Sequence, residues 1–70
     1  MTSYTDGILH ELRQRLAIVR RRIGEHEQTP LGETVAERAE YLHSAGALSQ
    51  LRCEQLFLTQ LLAEIEKMTA

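Results

Sequence analysis

Seventy residues and 8.0 kDa, with 43% hydrophobic and 26% charged side chains, make at most one small domain, which buries a modest share of its surface when folded alone. A formal net charge of -2 and a pI near 5.9 argue against general affinity for nucleic acid or anionic membrane, since both require a basic footprint. The single cysteine, Cys53, excludes an intrachain disulfide, so stability must come from packing or oligomerisation, and a reducing compartment is expected.

The first residues, MTSYTDGILHE, lack the basic start and apolar run of a signal peptide, and no stretch approaches the roughly 18 apolar residues that cross a bilayer. The expectation is a cytoplasmic protein with no membrane contact. With 4 glycines, 1 proline and an abundance of Leu, Glu, Arg, Ala and Gln, the chain favours helix over strand, and the fold class is all-α.

In chain order, the first periodic segment is ILHELRQRLAIVRRRI, residues 8–23. Leu9, Leu12, Leu16, Val19 and Ile23 recur at spacings of three and four, the apolar seam of an amphipathic helix. That helix is expected over about 5–24. Ser3 or Thr5 caps its start, Asp6 favours the positive end of its dipole, and Gly24 stands where a left-handed C-cap glycine belongs. Residues 25–33 contain Pro30 and Gly32 and form the loop.

A second helix opens at Thr34, whose hydroxyl and Glu37 have capping-box spacing. It is expected over about 34–68, roughly 35 residues and ~52 Å at the standard rise. Gly46 is its weak point. A glycine inside a helix costs roughly 1 kcal/mol relative to alanine, so it either marks a kink or, as preferred, lets the first helix approach closely over Ala39, Leu42, Ala45 and Gly46.

Two helices and a short loop give an antiparallel helical hairpin as one domain over 1–70, with the second helix the longer. A turn near residue 29 would set Ile23 against Ala39, Val19 against Leu42, Leu16 against Gly46 and Leu9 near Cys53. The last ~13 residues of the second helix, about 20 Å, would then overhang. Leu56, Phe57, Leu58, Leu61, Leu62, Ile65 and Met68 lie in that overhang, and leaving such side chains in water forfeits roughly 1.5 to 3 kcal/mol each. They are therefore expected to form a dimer or partner interface, with two hairpins joining into a four-helix assembly.

Arg13 and Arg20 flank the seam of the first helix on one side and Arg15 and Arg22 on the other; with Arg21 they are expected to pair with Glu33, Glu37 and Glu40, or to contact a partner, as is Tyr41. His10, His26, His43 and Cys53 lack zinc-site spacing, with only His10 falling near Cys53 in the expected register, so no metal and no cofactor are expected, and Cys53 reads as a small buried hydrophobe. No nucleophile, base and orienting partner share a cleft, so no catalytic residues are assigned.

In overall form the expected hairpin is similar to small α-hairpin adaptors such as plasmid copy-number regulators and the co-chaperones of secretion-needle subunits. That likeness of form carries no residue across. The functional expectation is a non-enzymatic homodimer that binds and inhibits, chaperones or tethers another protein, for example as a bacterial or phage regulator. The alternative is a nucleic-acid-binding hairpin dimer that uses the arginine edge.

Overall fold

The computed structural model describes residues 3–69, which form two helices, α1 (Tyr4–Glu27) and α2 (Val35–Thr69). Ser3 caps α1 in a reciprocal box: the Asp6 N–H donates to Ser3 Oγ (3.1 Å) and the Ser3 N–H donates to the Asp6 carboxylate (3.3 Å). At the other end α1 continues about one turn past Gly24. Gly24 is helical, and Gln28 caps the helix in the right-handed region. The left-handed glycine is Gly32 (φ 75), inside the loop.

At the start of α2 the Glu37 N–H donates to Thr34 Oγ1 (3.1 Å), while the Glu37 carboxylate accepts from the Thr34 hydroxyl and from the Glu33 N–H (3.1 and 3.3 Å). Two backbone N–H groups at the start of α2 are thereby satisfied by two side chains that also bond each other. From Val35 to Thr69 the helix is unbroken through Gly46.

The helices lie antiparallel, in a register far from the one expected. Arg13 pairs with Glu66, Arg15 with Glu54 and Glu27 with Arg52, and His26 meets Ser44. Averaged over these pairs, Leu16 comes level with about Leu58, and Leu9 with about Ile65 where Cys53 was expected. The slide is about 12 residues, or ~18 Å at 1.5 Å per residue.

Burial explains the slide. The expected contact surface of α2, from Ala39 through Leu42 and Gly46 to Cys53, offers one large apolar side chain. The observed one offers Leu48, Leu51, Leu58, Leu62 and Ile65, which with Gln55 between them recur at alternating spacings of three and four. Each such side chain fully buried contributes roughly 1.5 to 3 kcal/mol, which favours the second arrangement decisively. Leu9, Leu16, Val19 and Ile23 meet them, and Val19 is wholly buried.

The loop permits this because it is not a tight turn. Residues 28–34 can span up to ~23 Å when extended, enough to climb the ~18 Å from the end of α1 to the start of α2. Thr29 is tied to Ser44 (3.1 Å), and Gly32 lies so close to Glu37 that a Cβ there would sit 2.3 Å from the Glu37 Cβ. The uncovered end of the hairpin is consequently the start of α2, residues 35–43, rather than its C-terminus.

Candidate interaction surface

The seven residues expected at an interface divide. Leu58 and Leu62 are buried against α1 (5% and 7% exposed), and Ile65 packs on the same core, so the reading of them as an uncovered overhang is corrected. Leu61 is half-buried, whereas Leu56, Phe57 and Met68 are exposed at 60%, 62% and 80%.

The arginine edge is also rearranged. The Arg15 Nε donates to a Glu54 carboxylate oxygen at 2.6 Å, and the Arg13 guanidinium donates to Glu66 at 2.9 Å, on the two flanks of the seam. Arg21 approaches Glu25 one turn along its own helix (3.9 Å). The expected partners Glu33, Glu37 and Glu40 lie beyond the reach of α1 because of the slide, and Glu37 is used in capping. Among the described residues Arg20, Arg22 and Arg38 make no ion pair. The Arg15 hydrogen bond holds the Glu54 carboxyl below its ordinary value, assisted by the positive charge of Arg15 and Arg22 and opposed by partial burial.

One polar cluster is placed where the sequence reading assigned nothing. Ser44 is buried (7%) and its hydroxyl lies 3.2 Å from His26 Nδ1 and 3.1 Å from Thr29 Oγ1. Its position was legible, since Ser44 continues the Leu48, Leu51 seam by one step of four. A serine nucleophile must reach a substrate, and this hydroxyl is enclosed and already engaged by two side chains; its evident work is to fasten the loop onto α2. Tyr41, at the rim of the recess around this cluster, is 38% exposed.

Cys53 is exposed, not a buried hydrophobe, and the slide puts it about 11 residues from the level of His10. Among the described residues no three His, Cys, Asp or Glu side chains are grouped as a metal ion would need, and no helix is long and apolar enough to cross a membrane.

What stands open is the side of α2 facing away from α1. Val35, Leu42, Ser49, Leu56 and Ala63 recur every seven residues, and Ala39, Gly46, Cys53 and Gln60 fall between them; all are exposed. This second stripe at helical spacing carries no charge over residues 39–63 and is bounded by Arg38 at one end and by Glu64 and Lys67 at the other. Phe57 extends it to one side. Leu42 is 68% exposed and Val35 87%. A helix that carries apolar side chains on two opposite faces is suited to packing between two neighbours, and among the described residues only one face is packed. Compared with known families, curated proteins and solved structures, the chain gives no match.

Proposed function

We propose that this chain is a small non-enzymatic interaction module that works as a homodimer, joining two hairpins into a four-helix assembly, and that binds another protein in order to inhibit, chaperone or tether it. One observation carries the reading: the hairpin leaves too much surface uncovered for its size. Its accessible area is 5572 Å², against about 4,450 Å² for a compact chain of 8.0 kDa. Its radius of gyration is 16.4 Å, against about 11 Å for a compact chain of this length. It is a rod of 55 × 19 × 13 Å whose core holds six buried aliphatic side chains.

A second copy would supply the missing burial on the outer face of α2. The target is assigned to the loop and the overhanging start of α2, where Leu31 is exposed at 59% and Tyr41 lines the adjacent recess. Arg20 and Arg22 would orient an acidic partner from the rim and raise its on-rate. The unpaired Cys53 supports a reducing, cytoplasmic setting.

The test is affinity capture from the native host beside light scattering of the purified chain. A dimeric mass, with a retained protein that is lost on Leu31→Asp, supports the reading. A stable folded monomer that retains nothing overturns it.

A further inference from the structure

Building on the homodimer reading, we infer that the second copy lies antiparallel along the outer face of α2, about a two-fold axis level with residue 51. Residues 39–63 of this face span ~36 Å without a charge. The occupant that fits is a long helix with an equally uncharged face, and α2 itself has one.

The area agrees. The chain exposes about 1,100 Å² more than a compact chain of its mass, and a standard interface covers about 800 Å² per partner. Burying Leu42, Leu56 and Phe57, exposed at 68%, 60% and 62%, would remove about a third of that excess on each copy.

Size and charge agree on the direction. In a parallel pair residues of the same number share a level, so Leu56 lies beside Leu56 and Gly46 beside Gly46. In an antiparallel pair centred at residue 51 the edge that carries Arg38 faces the same edge of the second copy, which brings Arg38 toward Glu66 at both ends, while Arg52, near the axis, is held to Glu27 of its own chain. The same register sets Leu56 over Gly46 of the other copy and small Ala39 over small Ala63, so that the helices can come close. This gives Gly46 a use that the hairpin alone does not: within the chain its missing side chain accommodates nothing within 4 Å, and it is exposed.

The experiment places cysteines at Ala39→Cys and Ala63→Cys, each in a Cys53→Ser background, and oxidises the two proteins separately and mixed, with circular dichroism to verify that each is folded. Level small residues on close helices fall within disulfide reach. The expected result is a mixed disulfide from the two together and little product from either alone. Self-cross-linking of each alone would overturn the antiparallel arrangement. A dimeric mass without any cross-link would overturn this face while leaving the homodimer reading intact, and a monomeric mass would remove both. As a second readout, Gly46→Glu should weaken dimerisation by at least about tenfold without loss of helicity. An unchanged dimer would contradict the inference.

Discussion

Arg15 on α1 and Glu54 on α2, 39 residues apart in sequence, meet at 2.6 Å on one edge of the hairpin. The contact helps fix the register of the two helices, and it makes stability depend on pH. Because the folded carboxyl titrates below its ordinary value, folding favours its ionised form. Its contribution is complete above the unfolded glutamate pKa and is lost as pH falls through that value and then through the lower folded one. Melting temperature should fall across this acid window, and Glu54→Gln should flatten that share of the decline. A Glu54→Gln profile that superimposes on the parent's would show the pair to be idle.

Leu58 and Leu62 on one side of α2, and Leu56 on the other, should respond differently. Leu58→Ala removes a core side chain that is 5% exposed and should destabilise the fold by about 2 to 4 kcal/mol, a large share of what a chain of this size has. Leu56→Asp changes a side chain that is 60% exposed within the hairpin, so it should leave helicity intact and reduce association. Urea unfolding paired with sedimentation separates the two effects, and the assignment of faces fails if Leu56→Asp unfolds the chain while Leu58→Ala does not.

The glycines divide by the same logic. Gly24 is inside α1 with no atom within 4 Å of an added Cβ, so Gly24→Ala should stabilise by about 0.5 to 1 kcal/mol. Gly32→Ala should cost about 1 to 3 kcal/mol, because the residue sits at φ 75 and its Cβ would collide with Glu37. Thermal melts of the two variants should move in opposite directions.

The arginine edge gives a further test. With Arg13 and Arg15 engaged across the hairpin, Arg20 and Arg22 remain as exposed cations on a chain of net charge -2. Retention on DNA or RNA should be absent even at low salt. Salt-dependent retention that disappears on charge reversal of Arg20 and Arg22 would instead support the nucleic-acid reading.

Helix type, the caps at Ser3 and Thr34 and the seam Leu9, Leu12, Leu16, Val19 and Ile23 were legible in the sequence, because each rests on local spacing or local hydrogen bonds. The register was not. It depends on how far the loop climbs, and Pro30 and Gly32 suggest a turn without saying whether the chain reverses there or continues extended. Given the seams alone, the comparison that decides is Leu48 to Ile65 against Ala39 to Cys53, and weighing the buried area of each would have favoured the first. The Ser44 cluster follows from that choice. Gly24 misled because a helix-stop residue followed by polar ones resembles an end, yet α1 continues to Glu27 with His26 drawn to Ser44.

The outer face of α2 is proposed as a contact surface between copies. Light scattering of the parent chain and of Leu56→Asp over a range of micromolar concentrations tests it most directly. The parent should approach about 16 kDa, twice the 8.0 kDa of one chain, and the variant should remain folded near the single-chain mass. A parent that stays at 8.0 kDa with a cooperative, concentration-independent melt would contradict it.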